Sequence, residues 1–138
     1  HGDTKLLHQL IDAGSNVNNI NKKGANSLLE TAKFSVEAEI IEKLLSNKAE
    51  PNLVSYRNRT ILKSVVASED VDRLGLLIKH GADVNFPDKK QRTALHHAIN
   101  HSSASGDATF DTEHLLLKNS ADVNAVDALG RTPLHYAF

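Results

Sequence analysis

An all-α repeat solenoid is the fold this sequence predicts, and two recurring signals predict it. The first is an asparagine that closes each unit. It is Asn18 in GSNVNN, Asn52 in KAEPNL, Asn85 in GADVNF and Asn124 in SADVNA, at spacings of 34, 33 and 39 residues. The second signal opens each unit: GANSLLETA from Gly24, NRTILKSVV from Asn58, QRTALHHAI from Gln91 and GRTPLHYAF from Gly130. It steps by the same 34, 33 and 39 residues. Two independent markers sharing one period define a tandem repeat of stacked units.

The elements of a unit follow in order. Thr60, Thr93 and Thr132 stand where a side chain caps a first helix. Pro133 falls in the first turn of such a helix, where its missing N–H costs nothing. A short apolar helix comes next, as in Leu62, Val65 and Val66. After a turn, a second helix places apolar residues three and four apart, as in Val71, Leu74, Leu77 and Ile78. Gly81 in HGADVN supplies its left-handed end. One such helix pair cannot bury its own apolar face, so the units must stack.

With RTALHHA, GRTPLHYA, HGADVN and SADVNA on view, the chain resembles the ankyrin repeat family over essentially its whole length. The resemblance implies L-shaped units of two antiparallel helices with a projecting β-hairpin finger. It also implies a curved stack whose concave face is built from fingers and first helices. The expected organisation is one domain over 1–138, with full repeats at 21–54, 55–87 and 88–126 between partial ones at 1–20 and 127–138. The partial units look like halves of repeats, so the sequence predicts an internal piece of a longer array.

Several units depart from the pattern. The unit opened by Gly24 has Asn26-Ser27 for Thr-Pro, Leu29 for the motif histidine, and Lys48 where glycine is usual. Lys48 is therefore expected to adopt an unusual backbone geometry. Lys63 replaces the motif histidine of the next unit. The unit opened by Gln91 is six residues longer, through NHSSASGDATF, which reads as a flexible surface loop with Ser102, Ser103 and Ser105 as candidate phosphoacceptors. Glu113 falls where an apolar residue is expected, implying a rotated or shortened second helix.

Chemistry of other kinds finds little support. With no cysteine, a disulfide framework and a thiolate zinc site are excluded. A chain without cysteine suits an intracellular setting, cytoplasmic or nuclear. No apolar run approaches the ~20 residues of a membrane span. Of eight histidines, His96 and His135 are motif residues, which the family resemblance assigns to hydrogen bonds with a neighbouring turn. His97 and His101 have a two-ligand spacing, but a closed structural zinc site takes four ligands. His8 and His80 are expected to be solvated. No nucleophile elbow, phosphate loop or HExxH occurs, so neither an enzyme nor a cofactor is expected in these residues.

Net charge is −1, so bulk charge predicts no partner. Its distribution does. Mapped onto the family's concave face, the units contribute Lys22, Lys23, Lys33 and Phe34, then Tyr56, Arg57 and Arg59, then Lys89, Lys90, Arg92 and His101. The last contributes Arg131 with Val126, Ala128 and Leu129. Nine of these face residues are lysine or arginine and none is acidic, whereas Glu37, Glu39, Glu42, Asp70, Asp72, Asp111 and Glu113 fall on second helices. This stripe predicts a protein-interaction module for an acidic segment or patch. A nucleic acid, another phosphate ligand or an anionic headgroup on the same groove is the alternative, and a spacer role is a third. Asn18, Asn52, Asn85 and Asn124 each follow a leucine by eight residues. In that they resemble ankyrin asparagines hydroxylated by a 2-oxoglutarate-dependent enzyme. An asparagine bridging backbone groups of adjacent fingers, after a leucine in the core, accounts for the same pattern.

Overall fold

A computed structural model describes residues 4–32, 38–105 and 110–138. Its helices are α1 (Thr4–Asp12), α2 (Ser27–Thr31), α3 (Ala38–Ser46), α4 (Ile61–Ala67), α5 (Val71–Lys79), α6 (Ala94–Ser105) and α7 (Asp111–Lys118), followed by a 3-10 turn at Pro133–Tyr136. First and second helices pair as α2 with α3, α4 with α5, and α6 with α7. Second helices stack in the order α1, α3, α5, α7, while α4 packs on α6 and α6 on the 3-10 turn. The result is the helical solenoid that the period requires.

One continuous core runs through the stack. Leu28, Leu29, Ile41, Leu62, Leu74, Leu77, Leu95 and Leu116 are all buried within it. The motif leucines Leu44, Leu77 and Leu116 occupy one repeat position and are buried, whereas Leu10, expected in the core at the same position, is 48% exposed. Caps hold the first helices. Asn26 replaces the usual threonine without loss, its Oδ1 accepting the Leu29 N–H at 2.9 Å. Thr60 Oγ1 accepts from Lys63 N–H at 3.1 Å.

Left-handed backbone recurs once per unit after each second helix, at Gly14, Lys48, Gly81 and Ser120. Lys48 (φ 64°) thus adopts the geometry its position demands, and Ser120 (φ 66°) does so too. A non-glycine residue held there costs on the order of 1 kcal/mol.

Of the segment expected to be a surface loop, residues 100–105 are helical instead, and 106–109 lie outside the described residues. Over its described part it lengthens α6, which has 12 residues against 7 in α4. Asn100 to Ser105 contain neither glycine nor proline, and side chains fasten the added turn. Ser102 Oγ donates to Glu113 on α7. Ser103 Oγ donates to the Tyr136 carbonyl at 3.2 Å. Glu113 itself is buried, at the repeat position that Ile41 and Leu74 fill in the preceding units. It is tolerated because Ser102 and Thr112 hydroxyls bond its carboxylate. Helix α7 is one residue shorter than α5, and its Leu116 still reaches the core.

Candidate interaction surface along the fingers

The four fingers are tight loops, with no strand among the described residues. One backbone hydrogen bond closes each: Asn21 N–H to Ala25 (2.9 Å), Ser55 to Arg59 (3.0 Å), Asp88 to Arg92 (2.9 Å) and Asp127 to Arg131 (2.9 Å). Adjacent fingers are tied as well. Tyr56 N–H donates to the Lys23 carbonyl and Ala128 N–H to the Lys90 carbonyl, both at 2.9 Å. Between the middle pair the Asn58 side chain does this work, accepting the Lys89 N–H at 2.5 Å.

Residues at the finger bases, absent from the sequence reading of the site, fix this geometry. Asn21, Ser55, Asp88 and Asp127 share one repeat position, and each accepts backbone N–H groups from across its own turn. The signal was present in their type, because Asn, Asp and Ser all bond their own backbone a few residues on. Asp88 is the most heavily used. Its Oδ1 accepts from Lys90 and Arg92 N–H, while Oδ2 accepts from Arg92, Asn58 Nδ2 and His97 Nε2. Burial alone would raise its pKa. The hydrogen bonds from the Arg92 and Lys90 amides and from His97, with the Arg92 charge, outweigh that and hold it low. At Asp127 the bonds from Tyr136 and Arg131 likewise outweigh desolvation and keep the carboxyl ionised.

These acids divide the basic stripe into two rows. The inner row is committed to the protein. Arg59 Nη2 donates to the Leu29 carbonyl (3.1 Å), Arg92 pairs with Asp88 (3.1 Å), and Arg131 pairs with Asp127 (2.8 Å) and lies against the Tyr136 ring. His101 Nε2 sits 3.3 Å from Glu69. The outer row, at the tips, consists of Lys22, Lys23, Arg57, Lys89 and Lys90, all exposed. Tyr56 stands among them, 65% exposed, with its ring packed over Gly24. A Cβ at Gly24 would come within 2.9 Å of that ring. Lys89 Nζ bonds the Tyr56 carbonyl at 3.1 Å and lies 5.8 Å from the ring centre. Lys33 and Phe34 lie outside the described residues, as does Glu37.

The repeat asparagines lie on another side of the unit, at the turn after each second helix. Asn18 Nδ2 donates to the Lys48 carbonyl (2.8 Å) and its Oδ1 accepts the Glu50 N–H (2.7 Å). Asn52 makes the same pair with Gly81 and Asp83, and Asn85 with Ser120 and Asp122. Each thus fastens one unit to the next through these turns rather than through the finger tips, and Asn124, like Asn18, is exposed.

The motif histidine of the third full unit does likewise. His96 Nδ1 accepts the Thr93 N–H at 3.2 Å, leaving the ring proton on Nε2 to reach the Arg131 carbonyl at 3.1 Å. Lys63, in the equivalent position, contacts the Asn58 carbonyl of its own unit at 3.4 Å.

His80, expected to be solvated, is only partly exposed. Its Nε2 is buried without a hydrogen-bond partner. It is the C-cap of α5, and the adjoining Gly81 carbonyl is already in contact with Asn52 of the preceding unit. His8 lies 3.7 Å from Glu39. Among the described residues no three His, Cys, Asp or Glu side chains gather to hold a metal. Nor is any described helix long and apolar enough to cross a membrane.

Paired helices in stacked order, one left-handed residue per turn and an asparagine fastening successive units are the construction of one family. The chain matches the model of "Ankyrin repeats (3 copies)" over residues 28–108 and again over 65–138. It belongs to the ankyrin repeat family. Compared with the curated proteins, it matches none. Ankyrin repeats are generally protein–protein interaction modules and are typically non-catalytic. In this ankyrin stack the tips of the first three fingers carry a row of exposed cations. The inner faces of the fingers hold paired charges.

Proposed function

We propose that this ankyrin stack binds an acidic protein segment along its finger tips, without catalysing a reaction. The observation that carries the reading is the outer row: five exposed lysine and arginine side chains on three consecutive fingers, surrounding exposed Tyr56. Buried Asp88 and Asp127 neutralise inner arginines, and among the described residues no ion pair engages a tip cation. Stacked elements lie ~10 Å apart. That is close to the ~8 Å Debye length of physiological salt, so charges on neighbouring fingers reinforce one another. A protein segment is favoured over a single-stranded nucleic acid because the tips of these three fingers offer one stacking aromatic, whereas strand binders use several in succession.

The test is a charge reversal of Lys22, Lys23, Arg57 and Lys90 to Glu, read by fluorescence anisotropy with a labelled polyglutamate peptide. Arg59 is left intact because it bonds the Leu29 carbonyl. Affinity should fall by about tenfold or more, and wild-type affinity should fall as salt rises. Stability should change by only a few tenths of a kcal/mol per site. Reversal of Lys79 and Lys118, exposed on second helices, is the control. Weakening of equal free energy per reversed charge in both sets would mean that net charge alone governs binding, and no weakening by the finger set would remove the fingers as the site.

A further inference from the structure

The finger row changes character along its length. Each of the first three fingers (residues 21–25, 55–59 and 88–92) carries two net positive charges, and the fourth (127–131) carries none. In that fourth finger Arg131 is spent on Asp127, and the tip presents Ala128 and Leu129, with Val126 beside them. Leu129 is 76% exposed and Val126 56%. The exposure of Leu129 belongs to its position in the finger. Lys23, Arg57 and Lys90 occupy the same position in their units, and each is exposed although another finger follows it.

We infer that the partner is an extended segment with an acidic run bordered at one end by aliphatic residues. The acidic run lies across the first three fingers, and the aliphatic end rests on Val126, Ala128 and Leu129. The inference rests on the acidic-partner reading and adds to it the order of the partner's residues along the stack. Charge complementarity sets the first part. The second follows because a carboxylate brought to the fourth finger would give up water against an apolar surface with no cation free to receive it. Four fingers at ~10 Å steps span ~30 Å. An extended chain covers that in about nine residues at ~3.3 Å each.

Three labelled nine-residue synthetic peptides test this. One has six glutamates followed by three leucines, one has the leucines first, and one has three serines in their place. Wild-type protein should bind one of the leucine peptides about fivefold or more tightly than the serine peptide. The double variant Val126→Ser, Leu129→Ser should abolish that preference and leave serine-peptide binding unchanged. Both positions are exposed, and an unchanged urea midpoint would establish that the variant is folded. If the serine peptide binds and leucines at neither end add affinity, the inference is overturned while the acidic-partner reading stands. If the preference persists in the double variant, the aliphatic end sits elsewhere and the inference is again overturned. If no peptide binds wild-type protein, both fall together.

Discussion

Lowering the pH from 7 to 5 should destabilise this fold through His97 in particular. The His97 side chain is only 12% exposed, with its Nε2 3.1 Å from Asp88. Burial disfavours the imidazolium, and the charges of Arg92 and Lys63 add to that. The Asp88 carboxylate opposes them without prevailing, so the pKa falls to about 4. In the unfolded chain it is about 6.5. Between those values the unfolded state binds more protons than the folded one. The stability is therefore fully present above the unfolded pKa and is lost as pH falls from 6.5 toward 4. By pH 5 the loss is about 2 kcal/mol. Asp88, held below its ordinary value, stays ionised over this window. His97→Gln keeps a donor for Asp88 but does not titrate. Urea unfolding followed by far-ultraviolet circular dichroism at both pH values should show the variant losing about 2 kcal/mol less than wild type. Equal losses would refute the assignment of this proton to His97.

Two further outcomes follow from the stack. Asn85→Ala removes both bonds to Ser120 and Asp122 and should cost about 1–3 kcal/mol in urea unfolding. Asn124→Ala, at an exposed side chain, should change stability by less than about 0.5 kcal/mol, and equal effects would contradict the bridging role. Glu113→Leu puts an aliphatic side chain where Ile41 and Leu74 sit in the preceding units. It should leave the unfolding midpoint unchanged or raise it, because buried charges are commonly replaced by packed apolar groups without loss. A fall of more than about 1 kcal/mol would show that the bonds from Ser102 and Thr112 matter more than the packing.

The sequence by itself determined the repeat, the helix pairs and the core leucines. Those features are periodic, and each unit reports on the same physical demand. Leu44, Leu77 and Leu116 are buried because a helix pair must cover its apolar face with a neighbour. The left-handed turn at Lys48 was likewise legible, since a repeat position keeps its backbone geometry when its residue changes. The bridging role of the asparagines followed in the same way.

Tertiary structure alone decided which charges are free. In sequence, Arg57, Arg59, Arg92 and Arg131 are equally basic residues near finger tips. In space, three of them face a carbonyl or a buried carboxylate of the fold and only Arg57 points away. The helical form of the insertion's described part was hidden for a similar reason. Its local composition favours a loop, and the bonds that fasten it run from Ser102 to Glu113 and from Ser103 to Tyr136, residues 11 and 33 positions away. Local sequence sets backbone preference and periodicity, whereas pairing of a charge or hydroxyl depends on what the stack brings beside it.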